Sequence, residues 1–146
     1  MRISSPEFEH EGTLPSRYTC DGEGMSPPLV IEDVPVTAES LVLISDDPDA
    51  VSGTFVHWTV WNVDPHARHI EEDSVPPGAL EGANSASNTG YHPPCPPTGS
   101  HRYFFKLYAL DTSLDLPAGA GISDLESAME GHMIDKSEIY ARYRRV

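Results

Sequence analysis

The stretch that decides the fold reads Pro93-Pro94-Cys95-Pro96-Pro97-Thr98-Gly99-Ser100-His101-Arg102-Tyr103, and it leads into an apolar run over residues 104–110. Alternate side chains of a strand point to the same face, so His101 and Tyr103 share one face while Arg102 points to the other. The proline-rich loop therefore leads directly to polar side chains at the start of a core strand. This arrangement predicts one wall of a pocket.

A second predicted strand, residues 41–45, ends in the carboxylate cluster Asp46-Asp47-Pro48-Asp49. Proline stops ladder pairing there, and aspartate favours a turn. Between these two segments, β-branched and aromatic residues over 54–63 predict a central strand covered on both faces, which His57 interrupts. The end of the strand over 41–45 and the start of the strand that follows the proline-rich loop are therefore expected to supply one polar site.

The remaining segments predict a mostly β protein. The 14 prolines and 11 glycines among 146 residues indicate many turns, and two strongly apolar strands, 54–63 and 103–110, indicate a sandwich. Residues 74–100 are poor in core-type side chains and predict one long ordered loop. The spacing Ser123-Asp124-Leu125-Glu126 predicts a capping box, Gly131 is placed to end that short helix, and residues 133–146 predict a closing strand.

The acidic composition limits the function classes. A formal charge of −14 argues against nucleic acid and against anionic membranes as partners. With only two lysines, Lys106 and Lys136, the surface resembles proteins adapted to a high-salt cytoplasm, which we state as a hypothesis. No leader and no run of about 20 apolar residues are apparent, so we expect a cytoplasmic protein without membrane insertion.

The cysteines Cys20 and Cys95 lie far apart in sequence and form no C-x-x-C motif. In a reducing cytoplasm their expected state is two free thiols. The spacing by itself specifies neither a metal site nor a redox pair.

The order of three features resembles the phosphatidylethanolamine-binding protein family, specifically its prokaryotic Raf kinase inhibitor-like branch. These features are Asp47-Pro48-Asp49-Ala50, then His57 on an aromatic strand, then Pro-Cys-Pro-Pro-x-Gly-x-His-Arg-Tyr over 94–103. Further matching stretches at 18–22, 26–29, 90–91 and 131–132 extend the resemblance over nearly the whole chain. It implies one domain over residues 1–146, a Greek-key β-sandwich of two antiparallel sheets with a short helix near the C-terminus.

The resemblance also implies a small anion pocket. Imidazole and phenol groups can donate to phosphate oxygens, and turn amides can form an anion nest. A carboxylate in such a site can orient a histidine or accept from a ligand ammonium, which suggests a zwitterionic headgroup such as phosphoethanolamine. Free phosphate, acetate and a nucleotide stay open as ligands. The implied ligand-binding residues are Asp47, His57, Pro96, Pro97, His101 and Tyr103, with Asp49 and Cys95 as accessory candidates.

The chain departs from the family pattern at two positions. Val51 stands where a proline usually ends the first motif, and Pro93 stands where a glycine usually begins the second. Proline at 93 removes an N–H and the access to positive φ, so we expect a reshaped pocket rim. His92, beside it, is expected to be exposed rather than functional.

The leading expectation is a non-enzymatic binding protein for a small phosphorylated or carboxylate ligand, with no cofactor and no metal. One alternative is an inhibitor of a kinase or protease that acts through surface loops and carries a vestigial pocket. A second is an enzyme that uses Cys95 as nucleophile, or Asp47, His57 and His101 as a metal-binding set. The sequence leaves the ligand, the protein partner and the oligomeric state open.

Overall fold

The computed structural model describes residues 1–145 and shows two antiparallel β-sheets with one short helix. The expected mostly β, Greek-key sandwich is confirmed. The smaller sheet has the strand order β1-β2-β5 and the larger has the order β6-β4-β3-β7-β8. In chain order the elements are β1 (Arg2–Ser4), β2 (Leu29–Glu32), β3 (Ser40–Asp47), β4 (Phe55–Val63), β5 (His69–Ile70), β6 (Leu80–Glu81), β7 (His101–Leu110), α1 (Ile122–Met129) and β8 (Met133–Tyr143).

Strand β3 lies at the centre of the larger sheet, between β4 and β7, and all eight of its residues are buried. Alternation along the strand directs Leu41 and Leu43 toward the smaller sheet, and Val42 and Ile44 toward α1. Both faces of β3 are thus covered by protein, which explains why its sequence is apolar without interruption from Leu41 to Ile44.

The main core fills the space between the two sheets. From the larger sheet, Trp58, Phe105 and Leu107 are fully buried, and Leu29 and Ile31 meet them from the smaller one. Burying each such side chain stabilises the fold by about 1.5–3 kcal/mol. These contacts hold strands β3, β4 and β7 in a fixed relation, and the ends of these strands carry the candidate site.

The capping-box prediction is wrong. The helix begins at Ile122, and Gly121 is its N-cap without any side-chain cap hydrogen bond, so Ser123 lies inside the first turn. This earlier start brings Ile122 into the apolar contact that α1 makes with the outer face of the larger sheet. Burial of that apolar stripe outweighs the capping bond that Ser123 would have provided.

The other expectations for the C-terminal region are confirmed. Gly131 follows the helix with a φ of +80°, the left-handed conformation that commonly ends a helix. The closing strand is β8, which pairs along its whole length with β7. Residue 146, the last of the predicted segment, lies outside the described residues.

The long loop over residues 74–100 is ordered, and the two-residue strand β6 is its only strand within the part of the chain that the structure describes. Asn84 organises its centre, because its side-chain oxygen accepts from the N–H groups of Ala86 and Asn88 while its amide donates to Gly90. The loop therefore has a defined path to the pocket rim. No helix among residues 1–145 has both the length and the apolar character that a membrane span requires.

The expectation of two free thiols is wrong, because Cys20 and Cys95 form a disulfide with their Cα atoms 5.4 Å apart. The backbone N–H of Cys20 donates to the carbonyl of Pro94 at 3.0 Å, so the fold places the two loops side by side. The sequence separation of 75 positions between the cysteines concealed this contact in the sequence.

We predict that reducing the Cys20–Cys95 disulfide lowers the free energy of unfolding by about 2–4 kcal/mol, because the open chain regains loop entropy in the unfolded state. Urea unfolding with and without a phosphine reductant measures this loss. The double variant Cys20→Ala/Cys95→Ala is the control, since its stability must not respond to the reductant. Equal stability of the wild-type protein in both conditions would contradict a disulfide that contributes to stability.

Candidate ligand site

A cavity of about 540 Å³ opens at one end of the larger sheet. It lies where β3 ends at Asp47, β4 begins at Phe55 and β7 begins at His101, and the loop over residues 92–97 forms its rim. Antiparallel neighbours bring these termini to the same edge, because β3 runs toward it while β4 and β7 run away from it. Its polar side chains are Asp47, Ser52, Thr54, His57, Ser85, His92, His101 and Tyr103.

The shortest hydrogen bond among the cavity side chains joins His101 to Asp47. The Nδ1 atom of His101 lies 2.6 Å from Oδ2 of Asp47, and the two side chains are only 9% and 5% exposed. The other carboxylate oxygen, Oδ1, accepts from the N–H of Asp49 at 2.8 Å. Both oxygens of Asp47 are therefore engaged by the protein, and the carboxylate fixes the orientation of the His101 ring, leaving Nε2 for a ligand.

His57 reaches the cavity through a β-bulge. On β3, Ser45 pairs with Trp58 and the next residue, Asp46, pairs with Val56, so His57 is the extra residue of β4. A bulge bends its strand and redirects a side chain, and bulges are common beside functional sites. This local irregularity turns a polar ring toward the cavity from within an apolar strand.

The hydrogen bonds of His57 define its tautomer. Its Nδ1 atom lies 2.7 Å from the carbonyl oxygen of His92, and the N–H of His92 donates to the carbonyl of His57 at 2.8 Å. Because a carbonyl only accepts, Nδ1 carries the proton. Burial lowers the pKa of His57 to about 4, so the ring is neutral at pH 7 and its Nε2 is an acceptor.

Tyr103 lies between the two imidazoles. Its ring stacks on His101 with 6.3 Å between centroids and meets His57 edge-on at 5.4 Å. Burial, aided by the charge of Asp47, raises the pKa of Tyr103, so the phenol keeps its proton and can donate. The prediction that His101 and Tyr103 share a face is confirmed, since both are buried while Arg102, between them, is half-buried.

The rim contains the other predicted positions. Pro96 and Pro97 line the cavity, as expected from the resemblance. Since residues 93, 94, 96 and 97 are prolines, Cys95 supplies the only backbone N–H from 93 to 97. The sulfur of Cys95 is bonded to Cys20, which contradicts its role as a thiol nucleophile.

Asp49 does not line the cavity. Its carboxylate accepts three hydrogen bonds of 2.9 Å from Arg102, one from the backbone N–H and two from the guanidinium. These bonds hold the pKa of Asp49 down at about 2. Asp49 therefore fastens the turn after β3 to the first residues of β7, on the side of the sheet opposite His101.

Sequence reasoning missed the position of His92. The side chain is half-buried rather than exposed, lines the cavity and packs on Phe55 and His57. The backbone pairing with His57 places it there, and no sequence pattern reports such a pairing. The substituted Pro93 packs toward Gly24, whereas Val51 stands on the cavity rim with 85% of its surface exposed.

A second groove is less suited to an anion. A larger groove of about 760 Å³ lies between α1 and β8, but its lining includes Glu126, Glu130 and Asp135, which repel anions. Among residues 1–145, no three His, Cys, Asp or Glu side chains come together in an arrangement that could hold a metal ion.

The family model described as phosphatidylethanolamine-binding protein matches residues 4–144. The chain belongs to the phosphatidylethanolamine-binding protein family. Its relatives include the UPF0098 protein of Methanothermobacter thermautotrophicus, 47% identical, and that of Chlamydia trachomatis, 40% identical, each alignment covering 99% of both chains. The resemblance is thus confirmed, and the relatives are prokaryotic.

Solved structures agree with this family assignment. A candidate phosphatidylethanolamine-binding protein homologue from Chlamydia trachomatis superposes with a TM-score of 0.96 at 39% identity, covering 99% of this chain and 97% of the other. YbcL of E. coli, described as a new member of the mammalian family, gives 0.92 at 26% identity, covering 99% and 98%. Membership of the family supports a ligand-binding protein of this type.

We predict that His57 makes stability fall in mild acid. Its pKa is about 4 in the folded state and about 6.5 when unfolded, so below pH 6.5 the unfolded chain takes up a proton that the folded chain excludes. From pH 7 to pH 4 the wild-type free energy of unfolding should therefore fall by roughly 3 kcal/mol more than that of His57→Asn.

Urea unfolding across this pH range measures the difference. His66→Asn is the control for replacing a histidine at an exposed position, because the His66 side chain is 87% exposed. Parallel curves for the wild-type protein and His57→Asn would show that His57 is not buried in its neutral form.

Proposed function

We propose that this chain is a non-enzymatic binding protein for a small anion, either phosphate or a phosphorylated or carboxylate headgroup, held in the cavity beside β3, β4 and β7. The observation that carries the proposal is the buried 2.6 Å hydrogen bond between Asp47 and His101. Burial of the Asp47 carboxylate costs desolvation free energy. A buried carboxylate that orients an imidazole at a cavity is typical of a binding site.

The donors of the cavity support an anionic ligand. Tyr103 offers an O–H, Cys95 offers a backbone N–H on the rim, and His101 donates through Nε2 when its ring carries the second proton. Asp47 then balances the charge of that ring. The protein as a whole carries a formal charge of −14, so an anion depends on such local donors and not on long-range attraction.

A binding role is favoured over covalent chemistry by the state of the candidate nucleophiles. Cys95 is held in the disulfide, and the hydroxyl oxygen of Ser85 accepts from the N–H of Val56 at 2.8 Å. Neither is paired with an imidazole that could act as its base. His57 uses its Nδ1 on a carbonyl and His101 uses its Nδ1 on Asp47.

A regulatory contact with a protein, such as a kinase or a protease, is the second candidate. It is favoured by Val51, an apolar side chain 85% exposed at the edge of the cavity. A partner that covers this rim would sense whether the cavity is filled. A cytoplasmic location also belongs to the proposal, and it requires that the Cys20–Cys95 disulfide persist there, as disulfides do inside hyperthermophiles.

The proposal predicts that phosphate, phosphoethanolamine or acetate shifts the imidazole resonances of His57 and His101 in an NMR titration. His101→Ala should weaken that binding by about tenfold or more, because it removes a ring nitrogen and leaves Asp47 without its partner. His69→Ala is the control, since His69 lies on β5 with 65% of its side chain exposed.

Two outcomes would contradict the proposal. The first is that none of the three ligands moves either resonance, which would leave the protein-contact role. The second is that His101→Ala binds the anion as tightly as the wild-type protein does.

A further inference from the structure

We infer that the cavity selects a singly protonated phosphate or phosphomonoester, a ligand whose P–OH group donates to His57 while its charged oxygens accept from the donors around it. This inference rests on the proposed function, because it specifies the chemistry of the anion in the same cavity. It predicts which anions the cavity rejects.

The acceptor of the cavity is Nε2 of His57. The bond from Nδ1 to the His92 carbonyl fixes the proton on the other nitrogen, and burial lowers the pKa of the ring to about 4. Nε2 has no hydrogen-bond partner within residues 1–145, although His57 is only 5% exposed. The atom is open to the cavity, so a ligand that fills the cavity displaces water from Nε2 and must itself bring a donor, which a fully deprotonated anion lacks.

No group that faces His57 within residues 1–145 is hydrogen-bonded to its Nε2. Its neighbours are the rings of Phe55, His92 and Tyr103, and the charged or titratable groups closest to it are His92, His101 and Asp47. His101 has the same arrangement as His57, with Nδ1 committed to Asp47 and Nε2 left open. A neutral His101 would therefore add a second acceptor.

The charge of the cavity favours a monoanion over a dianion. The Asp47 carboxylate, 5% exposed, stands behind His101, and the chain as a whole is strongly acidic. A second negative charge on the ligand would be repelled by Asp47 and would remove the hydroxyl that His57 requires. Charge and hydrogen bonding therefore point independently to the same protonation state.

The ligand class follows from these constraints. Inorganic phosphate and phosphomonoesters carry a P–OH group as monoanions, whereas phosphodiesters, including the headgroup phosphate of an intact phospholipid, carry none. Sulfonates also lack the hydroxyl. The cavity should accept the first group and reject the others, as a site with a committed hydrogen-bond acceptor rejects analogues that lack the donor.

Calorimetric titrations of the wild-type protein test this inference with four probes: inorganic phosphate, methyl phosphate, dimethyl phosphate and methanesulfonate. At about pH 5.5, below the second phosphomonoester pKa of about 6, all four are predominantly monoanions. We expect dimethyl phosphate and methanesulfonate to bind at least about tenfold more weakly than methyl phosphate. Tighter binding of methyl phosphate than of phosphate assigns the site to phosphomonoesters, the reverse order assigns it to free phosphate, and either order supports the inference.

The variant His57→Asn assigns the selectivity to Nε2. Its amide can still donate to the His92 carbonyl, but the acceptor at the Nε2 position is lost. The preference for methyl phosphate over dimethyl phosphate should fall to within about twofold. The matched control His69→Asn, on the exposed edge strand β5, should keep the full preference.

The outcomes separate this inference from the proposed function. If dimethyl phosphate binds as tightly as methyl phosphate, or if His57→Asn keeps the preference, the inference is overturned while anion binding stands. If none of the four probes binds, the inference is overturned together with the phosphate and phosphorylated-headgroup part of the proposed function. The wild-type series decides the inference even if the variant does not fold.

Discussion

The hydrogen bond between Asp47 and His101 is the interaction on which the site depends. It joins the last residue of β3 to the first residue of β7, beyond the pair Asp46 and Phe104 that ends the ladder between these strands. The bonds from Arg102 to Asp49 make a parallel connection on the other side of the sheet. The two strand termini are thus fixed on both faces, and the His101 ring keeps one orientation because its carboxylate partner cannot move away.

The second half of the site is attached to this centre by backbone contacts. The bulge at His57 turns its ring inward, and reciprocal hydrogen bonds with His92 bind the rim loop to β4. The disulfide then links the same loop, at Cys95, to the segment around Cys20. Backbone bonds and a covalent link therefore hold this rim in place.

Some of this was predictable from the sequence. The alternation of side chains along a strand predicted that His101 and Tyr103 lie on one face and Arg102 on the other. The end of the apolar run over 41–45 predicted that the carboxylates of 46–49 lie at a strand end. The contact between Asp47 and His101 joins β3 to β7 over a long sequence distance. Only the strand-end argument and the family resemblance indicated it. By contrast, strict alternation with the inward-facing Trp58 would have turned His57 to the other face, and only the bulge reverses this. The disulfide and the place of His92 also depend on loops packed side by side, which leave no periodic signal.

The most direct test of the account is a crystal structure of the protein grown with saturating phosphate. We expect a phosphate in the cavity, with oxygens at about 2.6–3.2 Å from Nε2 of His57, Nε2 of His101 and the Tyr103 hydroxyl, while Nδ1 of His101 stays on Asp47. A cavity without phosphate, or a His101 ring turned away from Asp47, would contradict it.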